Sequence, residues 1–503
     1  MRRARQALGV ILLLAGAALA YLLLRSDDPQ AEAGSPNVVV VMTDDQAFGS
    51  FTRKAMPNLF ELLDDGGTSF TDAYAIPPLC CPARAGFLTG QYPHNHGVFQ
   101  NDYRQLRDPE STLATWLDES GYEVALTGKF MNVYEPTEPA PGFDHWWEVR
   151  WLEIPGHWEY PVNDNGELSQ TGRAREDYST LAVTREAVDF IDRAAGEPAP
   201  FFLWASYWAP HHYDDDEAEV CDERSVQALP RDWRRFRDDE VKLPPEFNEA
   251  DVSDKPEHPR GEPRLDAAGV AEAIRDVRCA RAAMYRVDAG IGEIVAALRS
   301  AGVADDTAIL FLSDNGVLLG EHRLTDEKAL PYQAALHVPM GARIPAGMLG
   351  ASPIAEVSEP VGTIDLAPTI LELTGAEPCA EAGCRVMDGR SLVGLMRCER
   401  RGWSRPRARL TEAGGNCGRY ASVDRGRWLY AERFGGKPPD CRTTGTELYD
   451  LEADPRQLEN LLGMPGTRSR PDVEAKAQEM AALLGELREC SGIRGRDDTD
   501  RPC

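Results

Sequence analysis

The run Asn37–Thr43 (NVVVVMT) is apolar and β-branched without alternation, the pattern of a strand buried on both faces of a parallel sheet. Residues 122–127 (YEVALT), 201–207 (FFLWASY) and 307–313 (TAILFLS) read the same way. Between these runs lie helical patterns at 56–63, opening with Pro57, at 111–119, at 179–194 and from about 267 to 300. Strands alternating with helices of this length predict an α/β fold, a large, mostly parallel central sheet with helices on both faces. Residues 214–263 are rich in charge and proline without a period, which predicts a long surface excursion. Its acidic run Asp214-Asp215-Asp216-Glu217 reads as a solvated loop rather than a metal site, because consecutive carboxylates point apart and repel. Past Met396 the pattern changes to short strands at 427–434 and 447–451 and an amphipathic helix from about 473 to 488. That predicts a smaller C-terminal antiparallel sheet packed with a helix. The chain thus divides into a leader with linker over 1–35, the main α/β domain over 36–396 and an α+β subdomain over 397–503, with no internal repeat.

The first residues give an address. Arg2, Arg3 and Arg5 precede an uncharged stretch over 7–24 that ends at Arg25, the pattern of a signal peptide or an N-terminal membrane anchor whose basic end stays in the cytoplasm. Ala18-Leu19-Ala20 offers a cleavage site, and the stretch is also long enough to span. Either way the chain is exported, secreted or anchored to the outer face of the membrane. Eleven cysteines fit that address: an odd count leaves one thiol with a separate task and ten to pair in an oxidising compartment. Cys379 with Cys384, Cys417 with Cys441, and Cys490 with Cys503 are near neighbours suited to pairing. A formal net charge of -28 excludes nucleic acid as a partner, since phosphate backbones are held by basic surfaces. An anionic small substrate would need a local positive trap.

In open parallel sheets ligands sit beyond the carboxyl ends of the strands. The residues there are Asp44-Asp45, Gly128-Lys129, Pro210-His211-His212 and Asp314-Asn315. An acidic pair at one strand end alone is as well read as a cap or a turn; four such ends carrying acids, a lysine and histidines point to chemistry. The sharpest segment is Cys80-Cys81-Pro82-Ala83-Arg84 followed by Leu88-Thr89-Gly90. Pro82 suits a first helical turn and Gly90 a helix stop. Cys80 then sits at a helix N-terminus, which favours a developing anion, with Arg84 one turn along. Trp146, Trp147, Trp151 and Trp158 read first as core, and second as a stacking wall for a sugar or aryl group.

C-x-P-x-R followed by L-T-G resembles the signature of the sulfatase family, formylglycine-dependent enzymes of the alkaline-phosphatase-like superfamily. The resemblance implies that Cys80 is oxidised to formylglycine by a formylglycine-generating or equivalent maturation enzyme. It also implies that Asp44, Asp45, Asp314 and Asn315 surround one Ca²⁺ together with the modified Cys80. Oxygen donors without thiolate or imidazole suit a hard cation. Lys129, His211 in Ala209-Pro210-His211, and Lys328, in a stretch ending at Val338-Pro339, match the residues that bind sulfate. His211 or Lys328 then gives the departing alcohol its proton, after an alkoxide of the hydrated aldehyde, held by the cation and Arg84, attacks sulfur. His94, His96 and His322 read as supporting or structural. So do residues 364–369 and 447–451, which also resemble family segments. Lys129-Phe130-Met131-Asn132, Pro78-Leu79-Cys80-Cys81-Pro82 and Tyr92-Pro93-His94-Asn95-His96 are more similar to the glucosamine-6-sulfatase branch than to many arylsulfatases, which place a histidine two residues after the lysine. The implied activity is hydrolysis of sulfate monoesters, of a sulfated small molecule or saccharide such as a glycosaminoglycan unit. The alternatives are a phosphate or phosphonate ester hydrolase on the same scaffold, and a non-catalytic secreted binding protein.

Overall fold

Strand Asn37–Thr43 lies at the centre of the fold because successive side chains leave opposite faces and both faces are covered. Val38, Val40 and Met42 pack with helices Cys80–Thr89, Leu113–Asp118 and Leu366–Thr374. Val39 and Val41 pack with Pro57–Asp64, Ser179–Ala194 and the long helix Ala267–Ser300. This computed structural model describes residues 34–150, 156–212, 221, 227–378, 387–400, 403, 407–414, 419–436, 440–463 and 470–490. The leader, the acidic run at 214–217 and Trp151 fall outside the described residues. Among the described residues no helix is long and apolar enough to cross a membrane.

The central sheet has ten strands, in the order Glu356–Val357, Thr68–Phe70, Met340–Arg343, Thr307–Ser313, Asn37–Thr43, Phe201–Ser206, Glu123–Gly128, His145–Val149, Pro161–Asp164 and Glu167–Gln170. The five from 307–313 to 145–149 run parallel. Antiparallel pairs flank them on both sides. The expected α/β sheet with helices on both faces is therefore present. A glycine fixes one strand end. Gly128 has φ 109°, and a Cβ there would lie 2.0 Å from the Ser206 carbonyl oxygen, so only glycine lets Lys129 turn off the sheet beside strand 201–206.

Strands Arg409–Ala413, Tyr420–Arg425, Trp428–Gly435 and Arg442–Asp450 form the separate antiparallel sheet. Helix Pro471–Arg488 covers it through Val473, Met480, Leu484 and Leu487. The same core takes in Tyr74, Ile76, Tyr92 and Leu336 from the main chain body. His94 adds a polar tie. Its Nδ1 lies 2.8 Å from Glu412 Oε2 and its Nε2 2.7 Å from the Cys490 carbonyl. Both partners are acceptors, so the ring is an imidazolium donating twice. Burial works against that charge, but Glu412 outweighs it and holds the pKa of His94 above its ordinary value. A raised folded pKa gives stability that is complete below the unfolded pKa and is lost as pH rises through the folded one. His94→Gln therefore costs more stability at pH 5.5 than at pH 8, about 1–3 kcal/mol at the acidic end, read as a larger drop in melting temperature there; an equal drop at both values would refute the imidazolium.

Three expectations are corrected. The described part of the 214–263 stretch, though mostly exposed or half-buried, is more than a surface excursion: it contains helices Pro230–Phe236 and Glu257–Gly261, Phe236 is fully buried, and buried Lys255 bridges Glu249, Asp254 and the Leu458 carbonyl. The pairing of ten cysteines does not hold either, since Cys81 and Cys398 are free along with Cys80. A disulfide joins Cys221 to Cys279, 58 residues apart, a pair too distant to be read from spacing. Cys441 and Cys490 are disulfide-bonded, while Cys379, Cys384, Cys417 and Cys503 lie outside the described residues. The stacking-wall reading fails for Trp146 and Trp147, which are buried in the two cores. Trp158, partly exposed, packs on Tyr178 at 4.8 Å between ring centroids.

Candidate active site

Helix Cys80–Thr89 is buried along its whole length and stops at Gly90, whose φ of 64° is left-handed. Its first turn faces the carboxyl ends of the parallel strands. Asp44 and Asp45 follow strand 37–43, Lys129 follows strand 123–128, His211 lies beyond strand 201–206, and Asp314 and Asn315 follow strand 307–313. Lys328 arrives on the short strand Thr325–Glu327 just before it. All nine residues that sequence reasoning singled out meet in one hydrogen-bonded network.

The Cys80 thiol donates to Asp44 Oδ1 at 3.3 Å and receives Lys328 Nζ at 3.2 Å. Lys328 Nζ also donates to both oxygens of Asp45, at 2.7 and 2.5 Å, and Lys129 Nζ is paired with Asp44. Arg84 donates through Nε to Asp314 Oδ2 at 2.8 Å and through Nη1 to the Lys129 carbonyl and Ser206 Oγ at 2.8 and 2.7 Å. Its Nη2 stands 3.6 Å from Asp44 Oδ2 and makes no hydrogen bond. His211 Nδ1 donates to the His212 carbonyl at 2.6 Å, which leaves Nε2 as the lone-pair nitrogen, 3.3 Å from Lys328 Nζ. Of the adjacent histidines it is therefore His211 that enters the network; the half-exposed His212 pairs instead with Asp326 at 2.9 Å.

Burial raises every carboxyl pKa here, and neighbouring charge then sorts the groups. Against burial, Lys129, Arg84 and Lys328 hold Asp44 well below the ordinary range. Lys328 does the same for Asp45. Asp314 is pushed up to about 7 by burial and by Asp44, with Arg84 opposing. Burial lowers His211 to about 3, so its imidazole is neutral. Burial and Asp44 raise the Cys80 thiol well above its usual value. An unmodified Cys80 is thus a neutral thiol and a poor nucleophile.

The donor set fits a hard divalent cation. Ligand atoms of Asp44, Asp45, Cys80 and His211 lie within 4.8 Å of one another, so an imidazole stands nearer this cluster than the sequence implied. Asn315 Nδ2 donates to Asp45 and to the Gly316 carbonyl, which leaves its buried Oδ1 without a hydrogen-bond partner. Such an orphaned acceptor beside three carboxylates is what an oxygen-seeking ion requires.

Two supporting residues escaped sequence reasoning. Ser206 fixes Arg84 and closes a central strand, so the strand-end rule could have found it. His157, neutral through burial, donates from Nε2 to the His211 carbonyl at 3.2 Å and sets Nδ1 against Ser179 Oγ at 2.6 Å. It sits in an irregular segment with no pattern to mark it.

The sulfatase family model matches residues 36–376. The extracellular sulfatase SULF-1 homolog of Drosophila melanogaster is 28% identical over 379 residues, 74% of this chain and 32% of that protein. N-acetylglucosamine-6-sulfatase of Homo sapiens is 27% identical over 380 residues, 72% of this chain and 64% of that protein. The chain thus spans less than two thirds of either relative. A solved structure in complex with its substrate D-glucosamine-2-N,6-O-disulfate aligns with a TM-score of 0.71 at 20% identity, over 90% of this chain and 98% of that one. The phosphonate monoester hydrolase of Agrobacterium radiobacter aligns with a TM-score of 0.66 at 20% identity, over 90% and 95%. At these identities both structures speak to the fold alone.

Proposed function

The chain belongs to the sulfatase family, and on that premise we propose that it hydrolyses sulfate monoesters of sugars, with position 80 acting as formylglycine beside a bound Ca²⁺. The observation that carries this reading is the setting of Cys80: a buried, neutral thiol against the carboxylates of Asp44 and Asp45, touched by a lysine and beneath an arginine with a spare donor. As a hydrated aldehyde the same position offers two hydroxyls on one carbon, one to attack sulfur and one to release sulfate. Asp44, Asp45, Asp314 and Asn315, with position 80, would hold Ca²⁺, which would supply charge stabilisation to an oxyanion there.

The chain's own residues do the rest. Arg84, Lys129 and Lys328 carry three positive charges against those of Asp44, Asp45 and Asp314. A divalent cation adds two more, which the single negative charge of a sulfate monoester together with an alkoxide at position 80 would cancel; the cluster is balanced only with an anion in place. Arg84 Nη2, Lys129 Nζ and Lys328 Nζ are the donors that can hold sulfate oxygens. Lys328, whose pKa is raised by Asp45 in spite of burial, is a full ammonium. It is the proton source for the departing alcohol, with His211 Nε2 in reach to relay.

Export agrees with the Cys221–Cys279 disulfide and with an extracellular relative, and a sulfated amino sugar agrees with N-acetylglucosamine-6-sulfatase. The test assays sulfate and phosphonate monoesters side by side on protein whose residue-80 peptide has been weighed. We expect the aldehyde mass and a preference for sulfate. A preference for phosphonate would move the chain to the other ester class, and an intact cysteine in active protein would remove the proposed nucleophile.

A further inference from the structure

Exposure rises along one line through the site. The side chains of Arg84 and Lys129 are 0% and 1% exposed, that of Lys328 17%, that of His212 29% and that of Asp326 52%. An ester therefore reaches position 80 past Lys328, and its alcohol half comes to rest on that side. The ring of His212 stacks on that of His211, with centroids 4.9 Å apart and planes 12° from parallel. Asp326 lies on strand Thr325–Glu327, two residues before Lys328, so one short strand and the residue that follows it supply the carboxylate at the rim and the ammonium at the centre. Its neighbour Glu327 is already answered by His258 Nε2 at 3.3 Å and Arg419 Nη2 at 3.4 Å. Asp326 is met by His212 Nδ1 at 2.9 Å through Oδ1, and among the described residues nothing is hydrogen-bonded to Oδ2.

Resting on the sulfatase reading, we propose that Asp326 and His212 form the subsite for the leaving alcohol, and that this alcohol is a sugar presenting hydroxyl donors to Asp326 rather than a second sulfate. An ionised carboxylate only accepts hydrogen bonds, a hydroxyl donates one, and a sulfate can only accept while carrying like charge. A site built around an acceptor rejects a group that cannot donate far more strongly than it rejects a change of size.

The test uses mature protein and three probes: a panel of monosulfated hexoses and hexosamines, glucosamine-2-N,6-O-disulfate, and 4-nitrophenyl sulfate, which has no hydroxyl. Asp326 has φ 57°, a left-handed conformation that glycine and asparagine tolerate, so Asp326→Gly deletes the carboxylate without backbone strain and Asp326→Asn removes only its charge. We expect Asp326→Gly to lower kcat/KM for the best monosulfated sugar by roughly 10- to 100-fold and to leave 4-nitrophenyl sulfate within about threefold. Asp326→Asn should fall between, and should narrow the wild-type preference for the monosulfated over the disulfated sugar. Equal losses on aryl and sugar esters would mean that Asp326 only steadies Lys328 and would overturn the subsite, as would no loss on either or a wild type that favours the disulfated sugar. If the wild type hydrolyses no sulfate ester at all, the sulfatase reading itself has failed.

Discussion

Cys80→Ala should fold as the wild type does and lose turnover of any sulfate ester by roughly four orders of magnitude or more. The substitution removes one sulfur from a residue 1% exposed at the first turn of a helix; alanine suits a helix, and the packing loss costs about 1–2 kcal/mol. Cys80→Ser is expected to be no better, because one hydroxyl attached to that carbon leaves no second with which to expel sulfate. Both variants should bind sulfate as the wild type does, since Arg84, Lys129 and Lys328 remain. Turnover by Cys80→Ala above background would mean that another residue is the nucleophile.

Arg84→Met should be the most damaging single change to stability in the site. The guanidinium has no exposed surface and lies between Asp314, at 2.8 Å, and Asp44, at 3.6 Å. Removing one partner of a buried pair leaves the other charge uncompensated, at a cost of about 3–5 kcal/mol. Asp314 already sits near neutrality under burial and the influence of Asp44, so without Arg84 it takes a proton more readily and holds a cation less well. Calorimetry should give a lower melting temperature and weaker calcium retention, with part of the stability restored by excess calcium. An unchanged melting temperature and calcium affinity would show that the network does not depend on this charge.

Much of this was legible in the chain, for physical reasons. NVVVVMT and TAILFLS announce themselves because a strand covered on both faces needs no polar alternation, and the site follows from where such strands end. The motif around Cys80 supplied the rest, since a helix start that carries a proline and an arginine is locally encoded. What stayed hidden was set by tertiary contact. Glu167–Gln170 is exposed throughout and pairs only at the sheet edge. Thr68–Phe70 and Glu356–Val357 are too short to show a period. Lys255 looks like a surface lysine until Glu249 and Asp254 enclose it. The identity of the site histidine was also open, because two adjacent imidazoles differ only in which neighbour each meets.

The burial of position 80 sets a clock. With formylglycine proposed at position 80, a side chain 1% exposed is out of reach of a modifying enzyme in the folded state, so the oxidation would have to come before the sheet closes over it. The groups that enclose it come late: Asp314 is 230 residues beyond Arg84, and Lys328 is 248 beyond Cys80. At ribosomal speeds of about 5–20 residues per second, the cysteine waits roughly 10–50 s in an open segment of nascent chain, and a molecule that misses that interval closes with an inert thiol at its centre.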